Sequence, residues 1–347
     1  MPSRRAIDHR LSVIRNLAMY CVLAILAVML LGCYRAGAAL VPNDNEAHDQ
    51  WYSLSHGGVE RRYLVHTPAG WDGHQPLPVV LAFHGGGGRA EMQRTQSGLN
   101  AKSDKHGFLL VYPDGTGPKV RRPGQGKVGV LTWNAGLCCG SAVRERTDDI
   151  AYVRALLDEL PRRFAIDATR IYVTGMSNGA MMAHRIGVEL ADRVAAIAPV
   201  AGAIMIEDLG FLPSRPVPIL YFHGRKDPSA RFDGGPGRID KTVHRSVLET
   251  VNWWIQANGC SAVPSTVENH GDYILRRFKP SLGRTGAEVS FVLLPEGGHT
   301  WPGGIDVTAG KGTGALITSV DASEMMWQFF ARHRLGSSPA NAKGSDQ

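Results

Sequence analysis

Arg170-Ile171-Tyr172-Val173-Thr174-Gly175-Met176-Ser177-Asn178-Gly179-Ala180-Met181-Met182-Ala183-His184-Arg185-Ile186 decides how the rest of the chain is read. Residues 170–174 hold β-branched residues and a Tyr, the composition of a strand. Residues 180–186 carry no breaker and read as a helix. Between them Ser177 sits two residues from a glycine on either side. A turn that tight at a strand-to-helix junction forces the serine into an unusual backbone conformation, and Gly175 and Gly179 clear the space for it. The Oγ then stands at the C-terminal edge of a sheet, with the Asn178 N–H aimed at the same spot from a helix N-terminus.

Outward from this elbow, strands and helices alternate. Residues 60–66 alternate in polarity and predict an early antiparallel strand, whereas residues 39 to about 55 are polar and read as a loose lead-in. Pro78-Val79-Val80-Leu81-Ala82-Phe83 is wholly apolar, as in a strand buried on both faces, and runs into His84-Gly85-Gly86-Gly87-Gly88. A helix over 92–106 and a buried strand over 107–113 come next, then a glycine-rich loop over 114–146. Asp148-Asp149 caps a helix with Ile150, Val153, Leu156, Leu157 and Leu160 at helical spacing. Beyond the elbow, strands are expected over 194–200, 217–222, 273–278 and 289–294, with helices over 241–258 and 323–334. This is an α/β pattern: a mostly parallel sheet with helices on both faces. Residues 39–335 show no internal repeat or boundary and read as one domain, with 336–347 as a disordered tail.

The chain of 347 residues is long enough for a large core, and 44% hydrophobic with 20% charged residues is ordinary for a globular protein. The net charge is +7, but setting aside residues 1–38, with five arginines and one aspartate, leaves about +3. That balance, with no basic run interleaved with aromatics, gives no reason to expect a nucleic-acid partner. Arg4, Arg5, Arg10 and Arg15 followed by the apolar stretch 17–31 predict an export signal over residues 1–38. Three outcomes stay open: cleavage after Ala36-Gly37-Ala38, lipidation of Cys33 in the lipobox-like Leu30-Leu31-Gly32-Cys33, or retention as an anchor. Membrane contact is expected through this segment alone. Export leaves Cys138, Cys139 and Cys260 in an oxidising compartment. Adjacent cysteines bond each other rarely, so Cys260 is expected to pair with Cys138 or Cys139. No cysteine and histidine set has metal-ligand spacing, and neither a metal nor another cofactor is expected.

A serine needs a base to become a nucleophile, and the base needs an orienting acid. In chain order after Ser177, Asp227 closes Phe222-His223-Gly224-Arg225-Lys226-Asp227 at the end of a strand, with Asp233 and Asp240 as fallbacks. His299 follows in the glycine-rich loop Leu294-Pro295-Glu296-Gly297-Gly298-His299-Thr300-Trp301-Pro302-Gly303-Gly304. The order Ser, acid, His with both partners in loops beyond strand ends suits acyl transfer. Two N–H groups must hold the oxyanion: Asn178 is one, and Gly85 or Gly86 the other. Trp133 with Asn134, and Trp301, are candidates for the wall of a substrate pocket.

His84-Gly85-Gly86-Gly87, Trp133-Asn134-Ala135-Gly136 with Cys138-Cys139-Gly140, Asp148-Asp149, Gly175-Met176-Ser177-Asn178-Gly179-Ala180-Met181-Met182 and Gly298-His299-Thr300-Trp301-Pro302-Gly303-Gly304 together resemble the secreted polyhydroxybutyrate depolymerase-like esterases, relatives of feruloyl and acetylxylan esterases. The likeness runs from about Tyr63 to Phe330. It implies an α/β-hydrolase fold, carboxylic ester hydrolysis, and Ser177, Asp227 and His299 as the triad. The chain departs from that pattern in the long basic stretch 116–130, with Lys119, Arg121, Arg122 and Lys127, and in lacking a Ser/Thr-rich linker to a polymer-binding module. A serine peptidase of the same fold shares the triad, but no charged subsite for a peptide terminus is evident. A non-catalytic exported binding protein is the alternative outside enzymes, and an ordered Ser, Asp and His argue against it.

Overall fold

The computed structural model describes residues 48–117, 130–237, 242–283, 285–308 and 312–336. The export segment with Cys33, the fallback Asp240 and the basic residues Lys119, Arg121, Arg122 and Lys127 lie outside them.

The fully apolar run predicted over 78–83 is β3 (Leu77–Phe83), in which every residue is buried. It lies inside a ten-stranded sheet, fourth from one edge. β1 (Asp49–His56) and β2 (Val59–His66) form an antiparallel hairpin at one edge, and β4 (Leu109–Pro113), β3, β5 (Ile166–Met176), β6 (Ala196–Val200), β7 (Ile219–Gly224) and β12 (Val289–Leu294) run parallel. The short β8 (Gly235–Pro236) and β9 (Val243–His244) pair apart from it. β10 (Thr266–Asn269) and β11 (Ile274–Phe278) finish the other edge in antiparallel sense. Apolar side chains alternate between the faces, as the period of two requires: Ile171 and Val173 of β5 join one core and Tyr172 the other.

Among the described residues, six longer helices and one short one accompany the sheet. The two that follow β3, α1 (Ala90–Ser97) and α2 (Leu99–His106), lie with the last helix on one face. After the short α3 (Gly140–Arg144), α4 (Asp149–Arg163), the elbow helix α5 (Asn178–Glu189) and α6 (Val247–Ala257) cover the opposite face. α7 (Ala322–Phe330) closes the chain, its Met326, Phe329 and Phe330 turned inward. The Asp148 side chain accepts from the Ala151 N–H and caps α4, as its place ahead of the apolar repeat predicts.

Four expectations need correction. The lead-in over 39–55 holds the strand β1, whose half-buried Tyr52 and Leu54 pack against the core while the intervening residues face water; an edge strand can be this polar. The single helix over 92–106 is two, broken where Gly98 adopts φ 60. The helix over 241–258 begins later, at Val247, where the Ser246 hydroxyl accepts from the Glu249 N–H. The bridge from Cys260 is also absent. Cys260 sits where β11 ends and β12 begins, its thiol donating to the Ala287 carbonyl at 3.0 Å, and burial pushes it up to about 11. Cys138 and Cys139 place their sulfurs against each other beside Met181 near the start of α5, the helix that covers the central strands β5 and β6.

Candidate active site

Ser177 stands between β5 and α5 with φ 57 and ψ −120, a conformation that costs of order 1–3 kcal/mol for any residue with a side chain. The two elbow glycines make it attainable. A Cβ on Gly175 would come within 2.6 Å of the Gly179 carbonyl, and one on Gly179 would run into that of Phe83. Gly85, after β3, faces Ser177 from the other side, where its own Cβ would lie 3.4 Å from that of the serine.

Asp227 and His299 meet from loops beyond the ends of β7 and β12, neighbours in the sheet. His299 Nδ1 donates to Asp227 Oδ2 at 2.8 Å, leaving Nε2 free to face the cleft it shares with Ser177. The other carboxylate oxygen accepts the Ser229 and Ala230 N–H groups at 2.7 and 2.8 Å. Burial raises the Asp227 carboxyl, but the opposing pull of His299, with its charge and hydrogen bond, and of His223 brings it below the ordinary carboxylate value. The loop holding His299 is itself anchored, with the Gly298 N–H on the Ala315 carbonyl and the His299 N–H on that of Thr313.

Three further histidines surround this set, each buried with a fixed tautomer. His84 donates from Nδ1 to the Gly85 carbonyl at 2.7 Å and accepts the Gly115 N–H at Nε2. The Gly85 carbonyl also accepts the Gly88 N–H, so the peptide joining it to Gly86 cannot turn. His223 donates to the Ala230 carbonyl and accepts the Tyr221 hydroxyl, which fastens the loop that carries Asp227. His184 donates to the Gly202 carbonyl and accepts the Trp254 indole. Burial lowers His84 to about 4 and His184 to about 3, and pulls His223 down as well. The unfolded chain therefore binds more protons than the folded one between the ordinary imidazole value of 6.5 and these depressed values, so stability falls as pH falls through that window. His84 alone is expected to remove about 3 kcal/mol by pH 4. Urea melts should show a midpoint that drops steadily below pH 6.5; a midpoint level down to pH 4.5 would show these rings are not held neutral.

The remaining predicted residues lie elsewhere. Trp133 is fully buried, its indole donating to the His84 carbonyl, and its backbone N–H and C=O pair with the Asn178 carboxamide at 2.7 and 3.0 Å. It steadies the residue after Ser177 and does not face the cleft. Trp301 is also buried, donating to the Ser323 hydroxyl within the core under α7. Asn134 caps a turn through Gly136 and Thr147 and lines a separate hollow with Arg185 and Phe211. Trp133 and Trp301 thus face the core and Asn134 a separate hollow, so none of the three lines the cleft that holds Ser177. Bulky aromatics in loops are drawn into the core whenever the loops cross it. The cleft before Ser177, about 220 Å³, is lined instead by Met92, Gln93 and Gln96 of α1 and by Val307, Thr308 and Thr313 beyond His299. Reading the sequence missed Gln93, Gln96 and the anchoring roles of His84 and His223. His84 opens the glycine motif, and His223 lies two residues from Tyr221 on one strand face and four before Asp227.

No family model matches the chain. Among curated proteins it is 30% identical over 263 residues to NocK of Nocardia uniformis subsp. tsuyamanensis, a protein named as a candidate esterase, covering 71% of this chain and 72% of that one. It is 27% identical to feruloyl esterase B of Piromyces equi over 69% of this chain but only 42% of the relative's length. A solved acetyl xylan esterase from Aspergillus awamori superposes with a TM-score of 0.52 at 14% identity, covering 81% of this chain and 99% of that one. The sheet order, the serine elbow and the extent of the match to NocK agree: the chain belongs to the esterase family of the α/β-hydrolase fold.

Proposed function

We propose that the protein is an exported serine esterase that hydrolyses carboxylic esters through an acyl-enzyme. The hydrogen bond from His299 to Asp227 at 2.8 Å, in the cleft that also holds Ser177, carries this reading. Ser177 Oγ attacks the ester carbonyl carbon as His299 Nε2 takes its proton. The negative charge gathers on the former carbonyl oxygen, held by the Asn178 N–H and by that of Gly85 or Gly86. His299 returns its proton to the departing alcohol, and a water activated by the same imidazole then releases the acid. Asp227 keeps the imidazole oriented and offsets its charge. One catalytic domain over residues 39–335 performs these steps.

The relatives' names support esters of feruloyl, acetyl or hydroxyalkanoate type, the last from poly(3-hydroxyalkanoate) depolymerase C of Paucimonas lemoignei. The basic and apolar N-terminal segment supports export, followed by cleavage, by lipidation at Cys33 or by retention as an anchor. No helix among the described residues is long and apolar enough to cross a membrane. A fluorophosphonate probe tests the mechanism directly. It is expected to leave one adduct, mapped by tandem mass spectrometry to the peptide containing Ser177, with loss of turnover in proportion. An adduct on another residue, or full turnover after labelling, would overturn the assignment.

A further inference from the structure

We infer that Gln93 reads a hydroxyl group on the substrate, close to the scissile ester; the inference rests on the esterase reading above. Gln93 is fully buried on the wall of the cleft that holds Ser177 and His299. Its carboxamide has two polar ends. Gln96 Nε2 donates to Oε1 at 2.6 Å, and Nε2 has no partner among the described residues. Turning the two amides over changes which end is engaged, but a single hydrogen bond still joins them and half of the Gln93 carboxamide is left over.

A buried polar group without a partner is uncommon enough to need a cause, and at the wall of a reactive cleft the natural cause is a ligand. The backbone that carries the pair is fixed. α1 follows the Gly85–Gly88 turn directly, and the Gln96 carbonyl accepts the Ile305 N–H at 3.0 Å, fastening α1 to the loop beyond His299. The Thr308 hydroxyl on the same cleft is already engaged, donating to Asp306 at 2.6 Å. A hydroxyl donates and accepts, so it suits the free end of Gln93 in either amide orientation. A plain aliphatic ester leaves that end unpaired, which costs roughly tenfold or more in transition-state binding.

The hydroxyl could belong to the acyl group or to the alcohol, and two substrate pairs separate these. One compares p-nitrophenyl 3-hydroxybutyrate with p-nitrophenyl butyrate; the other compares 2-hydroxyethyl acetate with propyl acetate. The wild-type enzyme is expected to favour the hydroxylated member of at least one pair by about tenfold or more in kcat/KM. Gln93→Met keeps the length of the side chain and removes both polar ends, and should bring that ratio within about threefold of one. Equal rates for both members of both pairs in the wild type would overturn the inference while leaving the esterase reading intact, and this result needs no variant to fold. An unchanged preference in Gln93→Met would overturn it too. Failure to hydrolyse any of the four esters would instead remove the esterase reading, and this inference with it.

Discussion

Ser177→Ala is expected to lower kcat on a p-nitrophenyl ester by at least about three orders of magnitude while leaving the thermal midpoint within a few degrees of the parent. The change removes one oxygen and nothing else. Alanine keeps the Cβ that lies against Gly85, and it occupies the same φ of 57 at the same backbone cost. On the proposed mechanism the N–H donors at Asn178 and after β3 remain, so the activity left over is that of polarisation and binding without a nucleophile. A variant retaining more than a tenth of the parent activity, with its melting curve unchanged, would mean that the elbow presents no nucleophile.

The elbow was readable in the sequence because everything it needs is local: a strand, a serine and two glycines whose missing side chains make the turn attainable. The apolar runs of β3 and β12 were readable for a similar reason, since strands buried on both faces cannot hide their composition. His299 and Asp227 followed from chain order and from their positions at strand ends, which the sheet topology brings side by side. What stayed hidden depends on contacts between distant residues. Trp133 and Trp301 looked like loop aromatics because nothing nearby in sequence tells that one lies under His84 and the other under Ser323. Elimination pairs Cys260 with Cys138 or Cys139, but a count of thiols carries no information about where each lies: Cys260 beside β11 and β12, the pair beside Met181 over the central strands. β1 reads as a lead-in because an edge strand needs only half of its residues to be apolar. Gln93 gave no signal at all, since a glutamine on a polar helix is ordinary until its burial is known.

Asp227→Asn is expected to cost about 10⁴-fold in kcat, whereas Asp233→Asn should stay within about threefold of the parent. Asp233 pairs with Arg225 at 2.8 Å at the surface, its side chain 69% exposed, where an ion pair contributes little. Asp227 is held on both oxygens, one by the Ser229 and Ala230 N–H groups and the other by His299 Nδ1. An asparagine placed there must turn its single oxygen toward the two backbone donors, so its NH₂ faces His299. Two donors cannot share that contact, and the imidazole is driven to the tautomer with its proton on Nε2. The nitrogen that should take the proton of Ser177 then carries one already. His223, with its own proton committed to the Ala230 carbonyl, cannot substitute for the lost carboxylate. The fluorophosphonate probe should accordingly label Asp227→Asn far more slowly than the parent, while the fold and the cleft remain. If Asp233→Asn is the inactive variant, or Asp227→Asn keeps a tenth of the parent rate, the acid of this site lies elsewhere.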